Sequence, residues 1–141
     1  MTEDPVKQLE KVSPPPRLSA EAVEKILDAL PDALVVVDMN ENGKIVFVNG
    51  RAEFLFGYER TELLGQSVDI LIPGRLKDNH KKHRQHYIQD PEIRPMGAGK
   101  ELYCFTKDGR EVPVDIMLAP VMIHGGGIVA VAIRRRKKDA G

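Results

Sequence analysis

Two turn signals, each lying between stretches rich in β-branched and apolar residues, constrain the fold of this chain more than any other feature. The first is Asn42-Gly43 and the second is Asp108-Gly109. Such pairs accept the positive φ angles that tight connections between antiparallel strands require. The sequence therefore predicts two hairpins and a last strand that follows a glycine-rich turn at 124–127. The predicted strands are 33–38, 45–48, 100–106, 111–121 and 128–134.

The stretch after the first hairpin predicts short helices. Asn49 is suited to cap a helix at 51–56, which Gly57 closes, and a second helix at 59–64 ends at Gly65. Strand groups on either side of short helices predict an α+β fold. In that fold the groups pair antiparallel into one five-stranded sheet with the helices on one face.

The first 31 residues fall into two parts. Residues 1–18 contain four prolines among charged residues and predict a disordered leader. Residues 19–31 predict an amphipathic helix that starts at the N-cap Ser19 and stops at Pro31. One apolar stripe at helical spacing predicts burial against the chain's own domain or, as a dimer interface, against the same helix of a second copy. The stripe consists of Val23, Ile26, Leu27 and Leu30.

Charge and composition exclude several classes of protein. The 21 basic residues balance 21 acidic ones, so no overall field attracts nucleic acid or an anionic membrane. The basic residues at 136–141 are interpreted as a solvated tail that follows a folded domain at 32–135. Cys104 is the only cysteine, which excludes an intrachain disulfide and favours a cytoplasmic location. No apolar run approaches the roughly 20 residues that cross a bilayer, so no membrane partner is expected.

A longer helical segment at about 75–89 has an unusual face. Leu76, His80, His83 and Tyr87 recur at steps of four, three and four residues, which places them on one narrow arc. Two histidines thus occupy positions where an amphipathic helix ordinarily carries leucine or valine. Such imidazoles either hydrogen-bond within the core or hold a ligand.

The order of elements and several motifs, over about 20–134, resemble the PAS family. Residues 49–58 are similar to the family's N-x-x-A-x-x-x-F-G-Y core, and 62–65 to its E-L-x-G block. Residues 71–73 and 107–114 add two further blocks in the family's order. The resemblance implies a sheet of strand order 2-1-5-4-3, with helices over one face and a cavity between them. The structural motif residues are Asn49, Ala52, Phe56, Gly57 and Tyr58.

The family hosts haem, flavin, small metabolites or no ligand, so each cofactor has to be considered separately. Flavin photoreceptors of the family carry an N-C-R-F-L motif that is absent here, so flavin is not expected. In haem-binding PAS domains of the FixL type, the axial histidine follows an L-I/M-P motif on the long helix, and His80 matches that position. The resemblance extends the haem or small-ligand pocket to His83, Tyr87 and Lys100. Lys100 stands near the position where that group has an arginine for bound oxygen, which favours haem binding over oxygen sensing.

Two small residues on the last strand, Ala130 and Ala132, allow two interpretations. They leave room for a ligand in the cavity, or they let a helix pack closely against the strand. The sequence alone does not decide between them.

The chain lacks the sequence pattern of a catalytic centre, because it has no nucleophile with a base and no phosphate-cradling glycine loop. It is interpreted as a non-enzymatic sensory or regulatory module of bacterial signal transduction. Such a module binds a small ligand or partner and modulates a separate or fused effector, such as a histidine kinase, or a response regulator that controls transcription. The alternatives are a haem-binding gas or redox sensor, with His80 as axial ligand, and a ligand-free dimerisation or docking module. A homodimer is expected.

Overall fold

The structure, a computed structural model, describes residues 18–78, 82, 94–95, 101–123 and 126–136. All but the last residue of the expected leader, and the tail beyond Arg136, lie outside these residues. The described part of the chain forms one antiparallel sheet with short helices against one face.

Six strands form the sheet in the order β2-β1-β6-β5, with β3 and β4 both paired to β5. Val114 and Leu118 of β5 pair with β4 and β3 respectively, and both also pair with β6. β3 and β4 therefore lie along the same outer edge of β5 and together fill one strand position, which confirms the predicted order 2-1-5-4-3. The strands are β1 (Ala33–Asp38), β2 (Lys44–Val48), β3 (Arg94–Pro95), β4 (Leu102–Phe105), β5 (Glu111–Ile123) and β6 (Gly126–Arg135).

Both predicted hairpins form. Asn42 adopts a left-handed conformation with φ of 56°, Gly43 follows with φ of 76°, and Gly109 has φ of 84°. Asn42 tolerates this region because its short polar side chain lowers the steric cost that most residues meet there. A short 3₁₀ turn, Met39–Glu41, precedes Asn42 and was not predicted.

The sequence-based prediction was wrong at two strand boundaries. No strand was predicted between residues 48 and 100, but Arg94–Pro95 pairs with Leu118 and Met117 at the edge of the sheet. An edge position accepts proline because the missing N–H is not needed by a further strand. β5 extends to Ile123, beyond its predicted end at residue 121, and β6 begins inside the predicted glycine-rich turn at Gly126, which pairs with Ile123.

Helix α1 spans Ala20–Asp28, and Ser19 caps it as predicted, its side chain accepting a hydrogen bond from the N–H of Ala22. The helix ends earlier than the predicted stop before Pro31. Ala29 is its C-cap, so Leu30, the last member of the apolar stripe, lies in the connecting turn.

Two short helices and two 3₁₀ turns cover the sheet: α2 (Gly50–Phe56), α3 (Arg60–Leu63), Val68–Leu71 and Gly74–Leu76. Asn49 caps α2 and Gly57 ends it in the left-handed region, as the sequence predicts. Phe56 of α2 and Leu63 of α3 are completely buried against the sheet. The face of the sheet that they cover is the inner face, and the opposite one is the outer face.

Candidate functional site

The inner face of the sheet is apolar throughout its described part. Alternate residues of the strands point into it, which gives β1 its regular pattern of buried and partly buried positions. Asn49 and Thr106 are the buried polar residues of the described chain. The inner-face core includes Val35, Val37, Ile45, Val114, Ile116, Val129 and Ile133.

Cys104 is the buried ionisable side chain that the described residues contribute to this face. It lies on β4, is 2% exposed, and burial raises the pKa of its thiol to about 12. A thiol with so high a pKa stays protonated near neutral pH and is a poor nucleophile.

His80, His83, Tyr87 and Lys100, the residues predicted for the ligand pocket, lie outside the described residues. The segment that leads to the two histidines is described as far as Asp78. It starts with the 3₁₀ turn Gly74–Leu76. Their role in the pocket therefore stays a prediction.

The start of this segment is tied to the sheet by Arg75. Its guanidinium pairs with the carboxylate of Glu111 on β5, with Nη2 2.6 Å from Oε1, and lies 5.4 Å from the ring centroid of Tyr103 on β4. This hydrogen bond raises the pKa of Arg75 and lowers that of Glu111. The contact fixes where the chain leaves the described helical layer.

An apolar inner face suits a flat apolar ligand such as haem, because burying carbon-rich surface stabilises the complex without any polar partner. Cys104 is the buried thiol of the described inner face, and burial raises its pKa. Among the described residues no group of three or more His, Cys, Asp or Glu side chains is placed to hold a metal ion.

Ala130 and Ala132 lie on the outer face, because they alternate along β6 with the buried Val129 and Ile133. The interpretation that they widen the cavity is therefore wrong, and the close packing of a helix remains. Their neighbours across the strands are also apolar. The outer-face rows are Leu34, Ala132 and Met117, then Val36, Ala130 and Ala119.

Helix α1 contributes no buried residue to the core. Ile26 is 50% exposed, Val23 is 40% exposed, and Leu30 in the following turn is 39% exposed. Leu27, the fourth member of the stripe, is partly buried, and both alternatives for burial of the stripe stay predictions. No described helix is both long and apolar enough to span a membrane.

The amide of Asn49 uses all of its hydrogen-bonding capacity. Its Oδ1 accepts from the backbone N–H groups of Leu34 and Ala52, at 2.8 and 3.0 Å. Its Nδ2 donates to the carbonyl oxygens of Leu27 and Asp32, at 2.8 and 3.1 Å. The sequence indicated only the cap on α2. The contacts with α1 and the turn after it could not be read from spacing, because they join residues more than 15 positions apart in the chain.

The other residues of the family-like block have structural positions. Ala52 and Phe56 are completely buried, and Gly57 has φ of 79°. The ring of Tyr58 lies 5.8 Å from the Nζ atom of Lys107, which also pairs with Glu62 on α3 at 2.6 Å. This part of the block joins the helical layer to the hairpin between β4 and β5.

A model of the PAS fold matches residues 21–135 of the chain. The chain is 34% identical over 87 residues to the oxygen sensor protein DosP of Escherichia coli (strain K12), an alignment that covers 62% of this chain and 11% of that protein. It is 30% identical over 105 residues to the sensor protein FixL of Bradyrhizobium diazoefficiens, covering 73% of this chain and 20% of that protein. The chain thus spans a fifth or less of the length of these relatives.

Solved structures show the same fold at lower identity. The PAS domain of an HTR-like protein from Haloarcula marismortui superimposes with a TM-score of 0.69 at 21% identity, over 93% of this chain and 97% of that one. A PAS domain from a two-component sensor histidine kinase gives a TM-score of 0.67 at 14% identity, over 82% and 95%.

Proposed function

This chain belongs to the PAS fold family, and on that premise we propose that it is a sensory module of bacterial signal transduction. It holds a small ligand or partner between its helical layer and the inner face of the sheet, and occupancy changes the activity of an effector. The names of its relatives, an oxygen sensor protein and a sensor protein, support a sensory role. The module acts through occupancy and carries out no catalytic step.

The observation that carries this proposal is the uneven covering of the inner face. Val35 of β1 and Val114 of β5 are completely buried. Leu118 of β5 and Val131 of β6, which pair with each other, are only partly buried. The apolar surface around this pair is where a ligand gains most from leaving water.

Haem is the most specific ligand candidate. In this proposal His80 is the axial ligand, and His83, Tyr87 and Lys100 line the same pocket. The likeness to two sensors, one of them named as an oxygen sensor, supports this version. Lys100 in place of the arginine of FixL-type domains favours a redox or other gas response over oxygen sensing.

The test combines an absorption spectrum and native mass spectrometry of protein expressed with ample haem precursor. Bound haem gives a strong band near roughly 400 nm and an added haem mass. His80→Ala should remove both signals. The matched variant His86→Ala should keep them, because helical spacing places His86 off the arc that His80 and Tyr87 share. Full haem binding by His80→Ala would reject the assignment of the ligand. A wild-type protein that carries neither haem nor any other added mass would contradict the ligand-holding proposal and favour the docking alternative.

The effector in this proposal is a histidine kinase or a response regulator, including one that controls transcription, in the same polypeptide or a separate one. The likeness to FixL, which is named as a sensor protein, supports that context. The buried thiol of Cys104 fits a reducing, cytoplasmic compartment.

A second copy of this chain is the proposed occupant of the exposed apolar stripe. The stripe on α1 packs against the same stripe of the partner copy, and the outer face with its small Ala130 and Ala132 completes the interface. Exposure supports this choice, because Val23 and Ile26 on α1 and Met117 on the outer face are each at least 40% exposed. A two-fold arrangement lets both copies bury the same surface.

Sedimentation and light scattering at increasing protein concentration test the dimer. Ile26→Lys should shift the protein to monomer, because a charge in the stripe cannot be buried without a partner. Val46→Lys is the matched control, since Val46 is an equally exposed apolar residue on β2, away from the stripe. A wild-type protein that stays monomeric, or a dimer that Ile26→Lys leaves intact, would overturn this part of the proposal.

A further inference from the structure

Helix α1 is joined to the rest of the described chain by polar contacts at its C-terminal end. The carbonyl oxygen of Leu27 accepts a hydrogen bond from Asn49, and the carboxylate of Asp28 accepts one from the backbone N–H of Gly50, at 2.8 Å each. Both acceptors belong to the last turn of the helix. Both donors belong to the start of α2.

Asp28 is the centre of this attachment. Its Oδ1 lies 2.8 Å from the N–H of Gly50 and 3.0 Å from Nη2 of Arg60. One oxygen atom therefore contacts the first residue of α2 and the first residue of α3 at the same time. The carboxylate also lies at the N-terminus of α2, where the helix dipole favours a negative charge.

Arg60 gathers the other charges of this region. Its guanidinium lies within 3.5 Å of Glu53 on α2 and 3.9 Å of Glu24 on α1, and stands 5.3 Å from the ring centroid of Phe47 on β2. Its own backbone N–H donates to Glu53 at 3.0 Å. The side chain of Arg60 is one quarter exposed, more buried than most charged groups in the described chain.

Apolar packing does not hold the helix in the same way. The stripe residues Val23 and Ile26 are at least 40% exposed, and α1 has no buried residue. The direction of α1 therefore depends on a few polar contacts at one end. A movement of α2 relative to α3 therefore changes the distances from the carboxylate of Asp28 to its two donors, Gly50 and Arg60.

We infer that Asp28, Arg60 and Asn49 form a polar latch that sets the direction of α1 according to the relative position of α2 and α3. Because α2 and α3 cover the inner face, a change in what lies beneath them reaches α1 through this latch. The contacts of the polar latch lie within one chain, and they require neither a particular ligand nor a dimer. The polar latch therefore goes beyond the proposed function and can fail independently of it.

Spin labels on the full chain test the latch directly. Cysteines introduced at Glu21, near the free end of α1, and at Lys44 on β2 carry nitroxides, while the native Cys104 is buried and protonated and stays unlabelled. Labelled protein is diluted with unlabelled protein, so that only distances within one chain are read. The wild-type distribution should be single and narrow.

Asp28→Ala should broaden this distribution at least twofold, and Arg60→Ala should broaden it as well. Asp28→Asn keeps an acceptor for Gly50 but loses the ion pair, so its distribution should lie between those of wild type and Asp28→Ala. The matched control is Arg51→Ala, which removes an exposed arginine from α2 and should leave the distribution unchanged. Circular dichroism confirms that each variant is folded.

A folded Asp28→Ala protein with the wild-type distance distribution would overturn the latch. So would equal broadening by Arg51→Ala, because the effect would then not depend on the contacts of Asp28. If Asp28→Ala fails to fold, Asp28→Asn and Arg60→Ala decide the question by the same measurement. The oligomeric state of the same samples is measured by light scattering. A broader distance distribution with an unchanged oligomeric state shows loss of the latch and not loss of a dimer.

Discussion

Phe54 and Phe56 lie two positions apart on the same short helix, yet Phe56 is completely buried and Phe54 is 85% exposed. Two residues in a helix differ by about 200° of rotation, so one ring faces the sheet while the other faces solvent. Both residues are phenylalanine and both lie in α2, so the same substitution changes helix propensity equally at the two positions. A difference between the two variants therefore reports the energetic effect of burial.

Phe56→Ala should lower the free energy of unfolding by about 3–5 kcal/mol, because it leaves a cavity beneath α2. Phe54→Ala should change it by less than about 0.5 kcal/mol. Urea unfolding followed by circular dichroism measures both. A large loss in Phe54→Ala would mean that this ring is buried by a partner in solution.

Asn49→Ala should cost about 3 kcal/mol, because it removes a helix cap and leaves buried backbone groups of β1 and the α1 turn without their partners. Asn49→Asp tests the donor side separately. It keeps the acceptor for Leu34 and Ala52, but it places a carboxylate oxygen against the carbonyl oxygens of Leu27 and Asp32. It should destabilise the protein at least as much at neutral pH, and urea unfolding of both variants checks this.

Asn40→Ala is the control for these two variants, since Asn40 is an exposed asparagine in the nearby 3₁₀ turn. Its effect should stay within about 0.5 kcal/mol. If Asn49→Ala were as mild, the four hydrogen bonds of Asn49 would be replaced by water at little cost, and the junction would not be rigid.

Glu62 gives the protein a pH dependence with a definite sign. The backbone hydrogen bond at Glu59, and after it the side chain of Lys107, hold the pKa of Glu62 below its ordinary value of 4.5. A depressed pKa stabilises the folded state above the unfolded pKa, and this contribution is lost as pH falls through the folded value. Thermal unfolding midpoints measured from neutral pH down to about pH 3 should therefore fall less steeply in Glu62→Gln than in wild type.

Lys107→Met removes only the second of these causes, so its profile should lie between those of wild type and Glu62→Gln. A Glu62→Gln protein with the full wild-type slope would show that other carboxylates carry the acid sensitivity. The Glu62–Lys107 ion pair lies at the surface, where salt screens it. The difference in acid sensitivity between wild type and Lys107→Met should therefore shrink at high salt.

Cys104 should resist thiol reagents in the folded protein. With a pKa of about 12 in place of 9.0, only about one thiol in a thousand is ionised near pH 9, and burial blocks access. Alkylation should be negligible under native conditions and complete in urea, as measured by mass spectrometry. Rapid native alkylation would mean that β4 opens far more often than the rest of the sheet.

The sheet could be predicted from the sequence because its signals are local. Asn42-Gly43 and Asp108-Gly109 set the two hairpins. The piece Arg94–Pro95 could not be predicted, because its pairing with Leu118 depends on a contact between distant parts of the chain and not on strand propensity.

The candidate site was predicted less completely than the fold. The cap by Asn49 followed from its position before α2, but its contacts with Leu27 and Asp32 join elements whose arrangement only the fold supplies. Ala130 and Ala132 point outward because they alternate along β6 with Val129 and Ile133. The sequence does not say which of the two alternating sets is buried, and only the fold shows that Val129 and Ile133 are. His80 and its neighbours stay predictions.

The central position of β6 also has a mechanical consequence. Ala33 at the start of β1 pairs with Ile133 near the end of β6, and Asp32 holds Arg134 through two contacts of 2.9 and 3.3 Å. The polypeptide therefore enters and leaves the sheet at one place, on adjacent central strands. A force applied to α1 is transmitted to the exit of β6 over one ion pair, without crossing the body of the domain.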